Sequence, residues 1–136
     1  MKNKITKKEL AKQEKKRLNK LWKEVRQLCI DRDSGCIICG AKKGDTYINK
    51  KGKTVKICLH AHHLIPREIP ELKYDLDNLV TLCPTHHKFS VEMSPHRNPL
   101  VFVNWLVLNR PSQLMRVYKS LNKYYPQILY GTRRND

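Results

Sequence analysis

Four residues constrain this chain more than any others: Cys36 and Cys39 around Ile37-Ile38, and, far along the chain, Cys83 and His86 around Pro84-Thr85. A Cys-x-x-Cys pair followed by Gly40 forms a tight knuckle in which two thiolates converge on one ion, and Gly40 closes it by tolerating a positive φ. Cys83 and His86 complete a three-sulfur, one-nitrogen set suited to tetrahedral structural zinc. Any fold must therefore bring these two segments together. The cysteine count of five is odd, which fits metal ligation better than a disulfide framework. Cys29, inside a helical pattern, and Cys58, inside a strand pattern, are read as small buried hydrophobes.

The elements around this set follow from caps and periodicity. Thr6 and Glu9 have capping-box spacing, and Leu18, Leu21, Trp22, Val25 and Leu28 then recur at helical spacing. This predicts a long N-terminal helix whose Lys-rich first half is solvated and whose second half docks. Ser34-Gly35 breaks it. The runs Tyr47-Ile48 and Val55-Lys56-Ile57 flank Lys50-Lys51-Gly52 as a hairpin turn, and residues from about Lys56 to His63 alternate as a strand. A loop with Pro66 and Pro70 leads through Asp75 to Asn78 into a short apolar strand, Leu79 to Leu82, and then a helix that Thr85 caps, with His86 and His87 in its first turn. Asn98-Pro99 opens an apolar helix through Leu108, and Pro111 opens another that reaches Tyr124. The reading is one α+β domain over 1–136: a basic helical arm (1–30), a zinc-bound core (35–93) and C-terminal helices (98–126).

Lys plus Arg number 28 against 12 Asp plus Glu, a net charge of +16. Such an imbalance points to a polyanionic partner. The longest apolar runs, Leu100 to Val103 and Trp105 to Leu108, fall far short of the roughly 18 residues a spanning helix needs. No secretory pattern is visible at the N-terminus, so a reducing, cytoplasmic compartment is the expectation.

The knuckle, the doublet in "AHHLIP", the segment "DNLVTLC" and the closing "CPTHHK" together resemble the HNH endonuclease family, from about Cys36 to Lys88. The resemblance implies a zinc-stabilised ββα-metal core, the order of strand, loop, strand and helix already reached from the pattern. It also implies that His63 is the general base, that His62 and His87 ligate a catalytic divalent metal, and that Asn78 orients the base or approaches the metal. Many members carry Asp where His62 stands, although colicin-type nucleases carry His-His, so the ion could be Mg²⁺, Mn²⁺ or a softer metal. Many also carry Cys where His86 stands. A rival assignment would give His87 to zinc and His86 to the catalytic ion, and Cys-x-x-His spacing favours the first version.

Neutral imidazole titrates near physiological pH, so a histidine base beside one metal ion can hydrolyse a phosphodiester. His62 and His63 are neighbours on a strand and point to opposite faces, which requires His63 to sit at a distorted or terminal position. His60 shares the face of His62 and is read as packed or solvent-facing, while His96 is read as a loop-capping residue that could otherwise join the metal or touch phosphate. Arg67 and Lys88 are candidate phosphate contacts. The leading functional expectation is a metal-dependent DNA endonuclease acting on duplex DNA. The alternatives are a branched-DNA recombination nuclease, from a looser likeness to phage Rap and NinG-type enzymes, and a non-catalytic zinc module. The apolar C-terminal helix requires cover, and the N-terminal stripe can provide it, which favours a monomer over a homodimer.

Overall fold

The computed structural model describes residues 5–127, so Lys2 and Lys4 of the basic arm lie outside the described residues. The chain runs α1 (Lys7–Asp33), β1 (Thr46–Ile48), β2 (Thr54–Lys56), β3 (His60–His63), a 3-10 turn (Leu76–Asn78), β4 (Leu79–Leu82), a wide turn (Thr85–Phe89), α2 (Pro99–Asn109) and α3 (Pro111–Tyr124). It is a small α+β fold with two antiparallel strand pairs, β1 with β2 and β3 with β4.

Helix α1 begins at the expected capping box: the Glu9 N–H donates to Thr6 Oγ1 at 3.2 Å, and the Thr6 N–H donates to Glu9 Oε2 at 2.7 Å. Its residues from Lys7 to Arg17 are exposed, and docking starts at Leu18. Val25 and Cys29 are the positions that become buried, packing on Leu79 with Leu21 and Trp22 beside them. Cys29 is thus the small core residue expected, but Leu28 is 55% exposed. The stripe advances from Val25 by four residues, as a 3.6-residue repeat allows, and leaves Leu28 on the outer side. Ser34 ends the helix in the left-handed region, φ 58°, with its N–H donating to the Ile30 carbonyl at 2.9 Å.

Strand β4 is buried at all four positions and organises everything else. One edge pairs with β3, matching His60 to Leu82, Ala61 to Thr81, His62 to Val80 and His63 to Leu79. The other edge is closed by groups from three elements. The Thr81 N–H donates to Asp33 Oδ2 at 2.9 Å, the Ile37 N–H donates to the Thr81 carbonyl at 3.0 Å, and the Leu79 carbonyl accepts from Arg32 at 2.6 Å and Gln113 at 2.9 Å. An edge that could otherwise recruit another strand is thereby satisfied within the chain. Alternation divides the core. Val80 and Leu82 pack with Phe102, Leu106 and Leu114 of the C-terminal helices, while Leu79 faces α1.

Three expectations are corrected. Cys58 is exposed, because strand structure lapses between β2 and β3 and the residue falls in the connecting segment. Thr85 does not cap the following turn: Pro84 precedes it without a side-chain cap bond, and the turn runs Thr85–Phe89 with the Ser90 N–H donating to the Thr85 carbonyl at 2.7 Å, a five-residue step wider than an α-helix. Finally, α1 packs on β3 and β4 while α2 packs on α3, so α1 does not cover α2. Phe102 and Leu106 are buried, but Leu100 (81%), Leu108 (71%) and Val107 (50%) remain exposed. The apolar stripe of α1 is already used on β4.

Candidate active site

The first centre gathers Cys36, Cys39, Cys83 and His86, with ligand atoms all within 4.8 Å of one another. Local backbone explains each half. The Gly40 N–H donates to the Cys36 carbonyl at 2.8 Å with Gly40 at φ 74°, and the Cys36 N–H donates to the Ala41 carbonyl at 2.9 Å, closing the knuckle. Cys83 leaves β4, and His86 follows in the wide turn. Cys39 Sγ lies 3.8 Å from Cys83 Sγ, and His86 Nδ1 lies 3.3 Å from Cys83 Sγ and 3.8 Å from Cys36 Sγ. Tetrahedral zinc with bonds of about 2.0–2.3 Å spaces its ligands about 3.5–3.8 Å apart, so this set fits zinc. Burial, together with the neighbouring Cys36 and Cys39 thiols, pushes the Cys83 thiol up to about 12. A divalent cation shared by these thiolates would reverse that repulsion.

The second centre lies on the β3 face that carries His60 and His62. It gathers His62, His87 and His96, again within 4.8 Å, and His87 Nε2 lies 3.1 Å from His96 Nε2. Ligands adjacent on one ion at bonds of about 2.1 Å lie about 3.0–3.4 Å apart, so this pair fits a shared cation as well. The wide turn separates the neighbours His86 and His87, sending one to the thiols and the other to His62. His96 is thus placed beside His87 rather than capping its loop through its ring. Ser94, fully buried, fixes both: its hydroxyl donates to the His87 carbonyl at 2.7 Å and accepts from the His96 N–H at 3.3 Å. Burial, reinforced by the nearby histidines, lowers His62 to about 3, and burial with His60, His96 and Lys88 lowers His87 to about 4. Both imidazoles are neutral at physiological pH, the form that ligates metal.

His63 ends β3 and points the other way, toward α1, as alternation requires. Its ring stacks on Trp22 with centroids 5.1 Å apart and planes 15° from parallel. We assign its proton to Nε2, which donates to the Lys73 carbonyl at 2.9 Å and leaves Nδ1 the unprotonated ring nitrogen. Burial lowers its pKa, opposed by that hydrogen bond. A cleft of about 630 Å³ joins the two faces at this strand end, lined by His62, His63, His87 and His96 together with Arg67 and Lys88.

Asn78 is fully buried and lies outside this lining. Its Oδ1 accepts from the Ile65 N–H at 2.6 Å, and its Nδ2 donates to the Ile65 and Leu72 carbonyls at 3.0 Å each. It clamps the ends of the loop that leads from His63 to the carbonyl of Lys73. All three of these side-chain contacts are to loop backbone and none reaches the cleft. Sequence reasoning missed Trp22, Lys73 and Ser94 as neighbours of the site. Trp22 stood out as part of the helical stripe, but nothing in spacing signals the stack, the carbonyl partner or the buried hydroxyl.

Residues 36–88 match the family model of the HNH endonucleases. No curated protein and no solved structure matches the chain. The family match covers the knuckle, both strands of the central pair and the His86-His87 turn, and stops short of His96. The segment is thus similar to a family whose members are generally nucleases that act on DNA with divalent metals. No helix among the described residues is long and apolar enough to cross a membrane.

Proposed function

We propose that this protein is a metal-dependent endonuclease that hydrolyses DNA phosphodiester bonds. The observation that carries the reading is the convergence of His62, His87 and His96 beside a cleft that His63 borders from the opposite strand face. A divalent cation held by the three histidines would supply Lewis-acid charge against the phosphate and the departing oxygen. No carboxylate joins the cluster among the described residues, which favours a borderline transition ion over Mg²⁺. His63 Nδ1 takes the proton of the attacking water while its Nε2–H, held by the Lys73 carbonyl, fixes the ring. Trp22 restrains the ring's rotation from one side. Asn78 keeps the 65–72 loop, and therefore that carbonyl, in register with the strand end. Arg67 and Lys88 hold phosphates flanking the one attacked, and the exposed lysines of α1 add sequence-independent attraction for duplex DNA. Zinc on Cys36, Cys39, Cys83 and His86 is structural, since four protein ligands leave no open position.

The test is nicking of supercoiled plasmid across a panel of Mg²⁺, Mn²⁺, Co²⁺, Ni²⁺ and Zn²⁺, with His87→Ala as the comparison. Metal-stimulated nicking that His87→Ala weakens supports the reading. DNA binding without nicking under every ion would overturn it and leave a zinc-dependent binding module.

A further inference from the structure

His60 sits two residues before His62 on the same face of β3, opposite Leu82 in the register. Its Nδ1 lies 3.1 Å from Nδ1 of His87, with ring centroids 5.0 Å apart. Two nitrogens at that distance make a hydrogen bond only if one carries a proton and the other does not. On the far side of the same ring, His87 Nε2 is 3.1 Å from His96 Nε2, so the two ring nitrogens of His87 face different neighbours. A cation shared with His62 and His96 requires Nε2 of His87 to be bare. The proton of His87 then belongs on Nδ1, where it donates to His60 Nδ1, and the proton of His60 belongs on its own Nε2. His60 is therefore no spare histidine, because it is the acceptor that selects which nitrogen of His87 faces the cation.

We propose that His60 is a positioning residue for the candidate metal centre: it accepts the Nδ1–H of His87 and so fixes the tautomer and ring orientation in which His87 Nε2 ligates. The inference rests on the reading of His62, His87 and His96 as a metal site. The backbone supports it from both sides. His60 is held in the β3–β4 ladder, and Arg26 of α1 donates to the adjacent Leu59 carbonyl at 2.6 Å, while Ser94 holds the His87 carbonyl. Both rings thus hang from fixed backbone, and the contact between them needs no rearrangement to form. Partners of this kind typically change metal affinity about 10–100-fold when removed.

The chemistry of the contact distinguishes two substitutions. Asparagine places an oxygen close to where histidine carries Nδ1, so His60→Asn keeps an acceptor for His87, whereas His60→Ala removes it. The experiment titrates zinc-loaded full-length protein with Co²⁺ or Mn²⁺, reading affinity by calorimetry and ligand field by the visible Co²⁺ spectrum, with circular dichroism as the check on folding. We expect His60→Ala to weaken the second site about tenfold or more and alter its Co²⁺ spectrum, and His60→Asn to restore affinity to within a few-fold of wild type. Wild-type affinity in a folded His60→Ala protein would overturn the proposal, as would equal weakening by His60→Asn and His60→Ala. If the wild-type protein itself binds no second ion, the metal-site reading fails and this proposal falls with it, a result distinct from either of the others.

Discussion

Replacing His63 with alanine should remove most of the nicking activity while leaving the fold and the metal site in place. General-base catalysis contributes about 10²–10⁴ in rate, which at about 1.36 kcal/mol per tenfold is about 3–5 kcal/mol of transition-state stabilisation. The structural losses are smaller. The Lys73 carbonyl that accepts from His63 lies at the cleft, where water can replace the donor, limiting that loss to about 1 kcal/mol. The stack on Trp22 is worth about 0.5–1.5 kcal/mol. The β3–β4 ladder uses only the backbone of His63, and the three-histidine cluster sits on the other side of the strand, so metal affinity should be unchanged. The assay is single-turnover nicking over a metal titration, separating the saturated rate from the half-saturating metal concentration. The saturated rate should fall at least a hundredfold at an unaltered half-saturation point. The pH profile provides a second check. His63 must be neutral to act, and burial lowers its pKa despite the opposing bond to Lys73. The wild-type rate should therefore hold level below the ordinary histidine value of about 6.5 and fall only at more acidic pH. A His63→Ala protein that nicks at the wild-type rate under saturating metal would refute the assignment of the base.

Cys39→Ala should be unfolded or insoluble, and chelator-resistant zinc of about one per chain should be found in the wild type; a folded, zinc-free variant would contradict the structural role. Deleting residues 1–16 should make the salt dependence of DNA binding shallower while preserving cleavage at saturating protein, since this half of α1 is exposed; an unchanged slope would show that the arm does not contact phosphate. Asp33→Ala should destabilise by about 1–3 kcal/mol in urea unfolding, because it leaves the buried Thr81 N–H without its acceptor and takes the carboxylate from Arg32 and Arg110, which lie 2.9 and 3.0 Å from it and keep other acceptors. Burial would raise the Asp33 pKa, but Arg32, the Thr81 N–H and Arg110 outweigh it and hold it below the ordinary value; its contribution is present above about pH 3.9 and lost as pH falls through the lowered folded value, so wild type and variant should converge in acid.

Local signals carried much of the architecture. Thr6 and Glu9, Asn98-Pro99 and Pro111 marked helix starts that the structure reproduces, because caps and first-turn prolines act through the backbone of their own few residues. The zinc set was legible for the same reason: two short spacings each fix a local geometry. What alternation could state was which faces His62 and His63 occupy, and the β3–β4 register agrees. Contacts made across the chain were not legible. Nothing near Asp33 signals that its carboxylate closes the edge of β4, and nothing near Ser94 signals that it ties His96 to His87. Leu28 shows the converse, since it fits a periodic pattern whose buried side was set by distant packing, while Cys58 falls where the strand itself lapses.

The adjacency of His86 and His87 links folding to chemistry. In a regular α-helix consecutive side chains diverge by only about 100°. Here the His87 N–H donates to the Cys83 carbonyl at 2.8 Å and the Ser90 N–H reaches back to the Thr85 carbonyl at 2.7 Å, so the turn opens between an i–4 and an i–5 step. His86 Nδ1 then meets the sulfurs of Cys36 and Cys83 while His87 meets His60 and His96. Zinc held by His86 would therefore also set the direction of His87, through one peptide unit and a turn too short to adjust on its own. A single ion there would hold the knuckle to β4 and, by the same bond, aim His87 into the cleft. This is a physical reason for two centres to share neighbouring residues in a chain with only a small core to impose order by packing.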